Sequence, residues 1–411
     1  MRRLGVKVIY AIVLTIPLTQ YNVSGKLGLS IPDILILLFT LLAGLSTIGS
    51  RKGKYIAIKQ VDKINLFLVF TYLVFLSIAI INTGERVNVL VTTLGNILLF
   101  LGVSLFVDEW KILRNVIIAY IVGSVLLSLI AILQAVPIID VFNNLGHSGN
   151  PRGFGGQSLY FKRSLGTYKG PGVFYMYILP PFVMSFVFIT EKNLKKTIRG
   201  ISIVAFLLIL MSVVVGQTRA GWLGAFVGIY AVILLKYNTA KRLLVLTGSA
   251  ALAVVLIMSG TLNRLWETIV YMNKAAYVAR LQQFTYGVRD ILNNPVVGIG
   301  FGQFVEMNKD RLPMGYSMHN VFLKIAITMG VPAMLAFIAL CWNNVKSAIS
   351  KLYIECSDYR RNIIVGIVAG GMALLIQANF VGAFNQKPLW LILGILGSVG
   401  NVKRRRDVKY R

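Results

Sequence analysis

Apolar residues form long runs along almost the entire chain, and short polar segments separate one run from the next. A helix needs roughly 20 apolar residues to cross the hydrocarbon core of a bilayer, about 30 Å thick, and most of the runs approach that length. We therefore predict an all-α fold class, a polytopic integral membrane protein with about 12 transmembrane helices and a single membrane domain over residues 1–411. The predicted spans are residues 5–22, 30–49, 64–82, 88–107, 115–137, 172–190, 200–216, 220–236, 243–260, 319–343, 362–384 and 387–401.

One apolar run, from Ile201 to Leu235, is interrupted by the polar stretch GQTRAG. As one helix this run would be about 50 Å long, at roughly 1.5 Å per residue, which is too long for one crossing of the bilayer. We therefore predict a turn at Gly216–Gly221 between two spans. Such a turn places Arg219 at a membrane surface.

Composition and charge agree with this topology. The chain is 56% hydrophobic and 14% charged, with a formal net charge of +28. Most of the 42 Lys and Arg residues fall in alternate connecting segments and in the C-terminal tail, so the positive-inside rule places both termini in the cytoplasm. Anionic membrane lipids account for the excess positive charge, and no nucleic-acid partner is implied.

Two polar segments are long, and both are predicted to lie on the extracytoplasmic side. Residues 138–171 are rich in Gly and Asn and are predicted to form an irregular loop. Residues 261–318 are predicted to form a large extracytoplasmic loop between spans 9 and 10, with amphipathic helices followed by the glycine-rich stretch NNPVVGIGFGQF. Glycines in this stretch allow backbone N–H groups to approach another group closely.

The candidate chemistry lies in a set of outward basic residues. The sequence contains no nucleotide-binding loop and no metal-binding motif, so neither a cofactor nor a metal is predicted. The candidates in the outer segments are a set of arginines with one histidine: Arg152, Arg163, Arg219, Arg264, Arg280, Arg289 and His319. The planar fork of arginine matches phosphate oxygens. Two interpretations remain open, a site for a lipid-linked diphosphate or ordinary contacts of interfacial arginines with lipid headgroups.

The spacing of these residues limits which of them share a site. Arg280 and Arg289 are nine residues apart, so one continuous helix directs them to opposite sides unless it breaks at Gly287. His319 stands where a polar segment becomes an apolar run, and either caps a helix end or takes part in catalysis. The adjacent Asn320 favours the second interpretation.

Two other ionisable residues, Asp33 and Lys324, lie near the ends of predicted spans. We interpret both mainly as helix-packing partners, with Asp33 also placed to pair with an arginine.

Four motifs resemble one family when they are taken in order. They are RSLGTYKGPGVFYMYILP from Arg163, GQTRAGWLGAF around Arg219, RLQQFTYGVRDILNNPVVGIGFGQF from Arg280 and HNVFLKIAITMGVPAML from His319. Together they resemble the O-antigen ligase and O-antigen polymerase superfamily, polytopic glycosyltransferases of the bacterial cell envelope. One departure is Ala333, which stands where a second glycine is common in the family.

The resemblance implies transfer of a glycan from undecaprenyl diphosphate to an acceptor hydroxyl, without a metal or a nucleotide. It places the protein in the inner membrane as a multi-pass protein, with its active site facing the periplasm or the cell exterior. The acceptor is either a lipid A core sugar, for a ligase of lipopolysaccharide biosynthesis, or another lipid-linked glycan, for a polymerase. The sequence does not discriminate between these two acceptors.

The resemblance also implies roles for individual residues. Arg219 and Arg280 would stabilise the departing diphosphate, and His319 would accept or orient the proton of the hydroxyl. Substrate-binding roles fall to Arg163, Arg289 and Asn320. The fallback bases are Glu267, Asp290, Glu306 and Asp310. The alternative function is a transporter or flippase of lipid-linked glycans, which typically carries ionisable residues at mid-membrane rather than at the outer edge.

Overall fold

The computed structural model describes residues 2–21, 29–48, 62–83, 87–135, 164–191, 194–243, 247, 274–311 and 318–402. The elements in this part of the chain are helical, which confirms the all-α fold class. The α-helices are α1 (Arg2–Thr15), α2 (Ile31–Ile48), α3 (Lys63–Thr83), α4 (Val87–Phe106), α5 (Trp110–Ala135), α6 (Pro171–Ile189), α7 (Lys196–Val215), α8 (Arg219–Lys236), α9 (Lys274–Asn293), α10 (Gln303–Met307), α11 (Val321–Met329), α12 (Val331–Ile354), α13 (Asp358–Ala378) and α14 (Lys387–Asn401). A short 3₁₀ helix, Ile16–Gln20, continues α1.

Nine helical segments among the described residues are long and apolar enough to cross a membrane. They lie in α1 with its 3₁₀ extension, α3, α4, α5, α6, α7, α8, α12 and α13. The described chain is thus that of a polytopic membrane protein. The apolar part of α2, Ile31–Ala43, is shorter, α14 has only 15 residues, and most of the predicted span 243–260 lies outside the described residues. The total of 12 spans and the two predicted loops remain predictions.

One predicted turn is confirmed and one predicted span is wrong. The run from Ile201 to Leu235 turns between Val215 and Arg219, where α7 ends and α8 begins. The predicted single span 319–343 is instead two helices, α11 and α12, which meet at Gly330. The local signal of this break was Gly330 followed by Pro332 near the start of α12, and the prediction of one span missed it because the apolar run continues on both sides.

The centre of the bundle is built from α6, α13 and α14, and α8 packs against α13. Of the residues in the spans of α6 and α13, 72% are buried, against 28% in α3 and α7. Glycines permit this close packing, since a Cβ on Gly228 of α8 would lie 2.9 Å from the Cβ of Ala373 in α13. A stripe of exposed apolar residues faces outward on α7 at spacings of three or four: Ile201, Val204, Leu207, Met211 and Val214. Such a stripe is typical of a helix in contact with lipid.

Several helix ends meet at one end of the bundle, which we call the site end. Here α6 and α8 begin and α13 ends. The ring of Tyr175 in α6 fills the space above Gly221 of α8. The segment 379–386 after α13 crosses this end, and its Val381 lies against Gly172 at the start of α6. The sequence predicts that the site end faces outward.

Candidate functional site

His319 immediately precedes α11 at the site end. The next residue, Asn320, is the N-cap of α11, and its side-chain oxygen accepts a hydrogen bond of 3.0 Å from the N–H of Leu323. Its amide nitrogen donates to the carbonyl and side-chain oxygens of Asn379, both at 3.3 Å. Asn320 therefore holds the start of α11 against the end of α13 and positions His319, whereas its proposed contact with substrate stays a prediction.

The electrostatic surroundings of His319 are positive. Burial of part of the imidazole, followed by the positive charges of Arg280 and Lys324, lowers its pKa. Both effects disfavour the charged form. The neutral form of the ring, which accepts a proton, is thus favoured, and two of the predicted catalytic residues, His319 and Arg280, lie close enough to interact.

Arg280 reaches this position because α9 packs directly on α11. The contact is at Gly287, where a Cβ would lie 2.5 Å from the Cε of Met318 and 2.9 Å from the Cδ1 of Ile327. Helix α9 is continuous through Gly287, so Arg289 lies half a turn away from Arg280. The structure thus brings Arg280, but not Arg289, to His319.

Arg289 lies beside a small polar cluster instead. Asp290 is buried and accepts a hydrogen bond of 3.2 Å from the side-chain amide of Asn308. That amide also donates to the carbonyl of Phe304 at 2.9 Å. Burial raises the pKa of Asp290, and the hydrogen bond and the charges of Arg289 and Arg311 oppose this rise. The cluster joins α9 to α10, which makes Asp290 a structural residue rather than a free base.

The glycine-rich stretch packs against the C-terminal end of α11. The N–H of Ile299 donates to the carbonyl of Ile327 at 2.8 Å, and the N–H of Gly300 donates to that of Thr328 at 3.1 Å. The last carbonyls of a helix have no partner within the helix. The sequence did not show which group the glycines approach. In the structure this group is the backbone of α11.

Two glycines make this approach possible. Gly298 has φ +68°, and a Cβ there would lie 2.6 Å from the carbonyl oxygen of Ile327. Gly330, at the break between α11 and α12, has φ +90° and lies against the carbonyl of Val296. Positive φ disfavours any side chain. The break at Gly330 therefore allows the glycine-rich stretch to pack against the end of α11. Because this stretch follows α9, the same contact fixes the position of α9 and Arg280.

Arg219 is the first residue of α8 at the site end, and its side chain is exposed. The turn before it is held by Tyr175, whose hydroxyl donates to the carbonyl of Val213 at 2.6 Å. The same hydroxyl accepts a hydrogen bond of 3.4 Å from the N–H of Thr218. The role of Tyr175 was not predictable from the sequence, because an aromatic residue inside an apolar helix carries no signal of its partner.

Arg163 lies outside the described residues. Ser164, the next residue in the chain, donates its N–H to the carbonyl of Val215 at 3.3 Å. This contact places the start of the described segment beside the end of α7, next to the turn that carries Arg219.

Asp33 pairs with a lysine rather than with an arginine. Its carboxylate lies 2.8 Å from the Nζ of Lys387 at the start of α14, and it also accepts a hydrogen bond of 3.0 Å from the N–H of Ser30. Lys387 is only 2% exposed. The ion pair joins α2 to α14, in agreement with a packing role for Asp33.

An apolar groove of about 450 Å³ runs along α12 and α13. Its lining residues are Phe322, Ile338, Cys341, Trp342, Val345, Ile349, Met372 and Leu375. Phe322 is three residues after His319, so one end of the groove lies near the histidine. The lining residues of α12, from Ile338 to Ile349, lie progressively farther from the site end, and Met372 and Leu375 belong to α13.

Residues 204–338, about a third of the chain, match a family model described as O-antigen ligase. The matched region contains Arg219, Arg280, Arg289, His319 and Asn320, and it includes the glycine-rich stretch and the break between α11 and α12. The search of curated proteins returned no match. The resemblance to the O-antigen ligase and polymerase superfamily is therefore confirmed over this region, and it supports a glycosyltransferase-type function in the membrane.

Proposed function

We propose, on the premise that residues 204–338 are similar to the O-antigen ligase family, that the chain transfers a glycan from undecaprenyl diphosphate to an acceptor hydroxyl. The reaction takes place at the site end, on the periplasmic or outer face of the inner membrane. The acceptor is a lipid A core sugar or a second lipid-linked glycan.

The observation that carries this proposal is the position of His319 at the site end, where α9 with Arg280 packs on α11 with Lys324. Burial and then the charges of Arg280 and Lys324 lower the pKa of His319, which favours the neutral ring that can accept a proton. A base beside cations suits a reaction in which a hydroxyl loses a proton while an anion departs.

The proposed step balances as a substitution at the anomeric carbon. The acceptor oxygen forms a bond to this carbon, and the bond between the carbon and the diphosphate oxygen breaks. The acceptor proton passes to His319, and the electron pair of the broken bond leaves with undecaprenyl diphosphate. Arg219 and Arg280 stabilise the growing negative charge on the leaving group. Loss of the diphosphate supplies the driving force, so the step uses neither nucleotide nor metal.

The groove along α12 and α13 supports a substrate with a long apolar tail. Its lining is apolar, and Phe322 brings its end near His319. In the proposal the prenyl chain lies in this groove and the diphosphate lies at the site end, because apolar surface favours the chain and positive charge favours the phosphates.

The test is transfer by the purified protein. The full chain in detergent is incubated with an undecaprenyl-diphosphate-linked oligosaccharide and, in separate reactions, with lipid A core or with a second lipid-linked glycan. Product is expected with one acceptor, in EDTA and without nucleotide. Folded protein that yields product with neither acceptor, or only with added divalent ion, contradicts the proposal.

The break at Gly330 does not favour the transporter alternative. Transporters use unwound backbone carbonyls at broken helices to bind ions or substrates, whereas here the carbonyls of Ile327 and Thr328 accept hydrogen bonds from the glycine-rich stretch. Proteoliposomes discriminate the two functions, since a flippase moves the lipid-linked glycan between leaflets without any acceptor.

A further inference from the structure

Lys324 is a partly buried lysine near the start of α11. Its alkyl chain lies against segment 379–386, where a Cβ on Gly382 would be 3.1 Å from its Cδ. Among the residues that the structure describes, no carboxylate lies within ion-pair distance of its amine. An ammonium group that is partly removed from water without a partner costs free energy of folding. A counter-charge from outside the described chain removes this cost.

Lys387 at the same end of the bundle provides an internal comparison. It is almost completely buried, and its amine lies 2.8 Å from Asp33. Here the fold supplies a carboxylate to a lysine with a structural role. The chain has only 14 acidic residues against 42 basic ones, and none of the described ones is placed beside Lys324.

The surroundings of Lys324 add positive charge rather than cancel it. Its charge acts on His319 together with that of Arg280. Like charges repel, so an anion between the two cations would stabilise them, and it would also stabilise the imidazolium that forms when His319 accepts a proton.

We propose that Lys324 binds a phosphate group of an anionic substrate, and that Lys324 and Arg280 form an anion subsite beside His319. The assignment of this anion as the diphosphate of the donor rests on the proposed function. A lysine serves here as a point charge that follows the phosphate, whereas Arg280 offers a planar pair of donors. The helix-packing interpretation of Lys324 is replaced by a substrate-binding one.

Direct binding tests the subsite without relying on transfer. Wild-type protein, Lys324→Gln and the control Lys309→Gln are purified as full chains in neutral detergent, and their affinities for undecaprenyl diphosphate and for phosphatidylglycerol are measured. Lys309 is an exposed lysine paired with Glu306 at 2.7 Å. Lys324→Gln is expected to weaken binding of undecaprenyl diphosphate by about 10-fold or more, the usual effect of a charge-assisted hydrogen bond, and the control to leave it unchanged.

Thermal unfolding separates this proposal from a packing role. Without ligand, Lys324→Gln is expected to unfold at the same or a higher temperature than wild type, because it removes an uncompensated charge. A lower melting temperature with unchanged affinity per folded molecule overturns the subsite. An equal loss of affinity for phosphatidylglycerol overturns the assignment of the anion as a diphosphate.

A second experiment measures the effect of the Lys324 charge on the pKa of His319. In a His147→Gln background the protein has one histidine, whose titration is followed by NMR. Lys324→Gln is expected to raise the pKa of His319, and an unchanged value contradicts the proximity of the two groups.

If undecaprenyl diphosphate binds through Lys324 but no product forms, the proposed function fails and the subsite stands. If Lys324→Gln transfers at the wild-type rate with limiting donor, the subsite fails and the function stands.

Discussion

His319 is the residue on which the proposed chemistry depends. It precedes α11, whose N-cap Asn320 is tied to Asn379. The backbone that carries the imidazole is therefore held by two hydrogen-bonded side chains rather than left in a free loop.

Replacing His319 tests its proposed role as a base. His319→Ala is expected to reduce the transfer rate by on the order of 10²–10⁴, the usual contribution of general acid–base catalysis. Donor affinity should change little, because the arginines and Lys324 hold the diphosphate in the proposal. Turnover per folded molecule and donor affinity are measured together. Near-normal turnover with a lowered melting temperature would show that the histidine is only a helix-end residue.

The pH dependence of transfer follows from the lowered pKa of His319. The rate requires the neutral ring, so it should stay on a plateau at pH 7 and fall only at a pH below the ordinary histidine value of about 6.5. Arg280→Gln removes one of the nearby positive charges and should move this acidic limb to higher pH. Arg289→Gln serves as the comparison, because the Arg289 side chain lies half a turn away on α9. The acidic limb of the pH–rate profile of this variant should not move. Identical limbs in Arg280→Gln and wild type would mean that Arg280 does not act on His319.

At the scale of the elements, the position of α9 depends on the glycine-rich stretch. This stretch accepts and donates backbone hydrogen bonds at the junction of α11 and α12, including a bond of 2.8 Å from the N–H of Val331 to the carbonyl of Pro295. These bonds join the helix that carries Arg280 to the helix that follows His319.

Gly330→Ala tests this link. The substitution puts a side chain at φ +90° and against the carbonyl of Val296, and strain of this kind costs about 1–3 kcal/mol. We expect a lower melting temperature and a loss of transfer, since the displaced stretch takes α9 with it. Gly200→Ala on α7 is the matched control, because nothing lies within 4 Å of the added Cβ. An equal tolerance of both substitutions would contradict the proposed role of the junction.

At the scale of the whole molecule, the helix ends that gather at the site end carry basic residues from distant parts of the chain. Arg219 begins α8, Arg280 lies on α9, and Lys324 lies on α11. The orientation of this end decides which compartment the proposed reaction uses.

Labelling with a membrane-impermeant thiol reagent tests the orientation. In a background in which Cys341 and Cys356 are replaced, Lys309→Cys should react in cells whose outer membrane, if one is present, has been permeabilised. Arg361→Cys, at the opposite end of α13, should react only after lysis. Both positions are exposed, so accessibility does not bias the comparison. If only Arg361→Cys is labelled in unlysed cells, the topology is the opposite of the predicted one and the site end faces the cytoplasm.

The sequence by itself determined that the chain is a polytopic bundle of apolar helices with a turn before Arg219. These features depend on the length and hydrophobicity of local runs, which a single sequence displays directly. The half-turn offset of Arg280 and Arg289 was also predictable, because the helical period alone sets it.

Only the tertiary structure decided which polar groups meet. It placed Arg280 beside His319, seated the glycine-rich stretch on the end of α11, and paired Asp33 with Lys387 across more than 350 positions of sequence. It also divided the predicted span 319–343 at Gly330. Such contacts depend on how distant helices pack, which a local pattern of apolar and polar residues does not display.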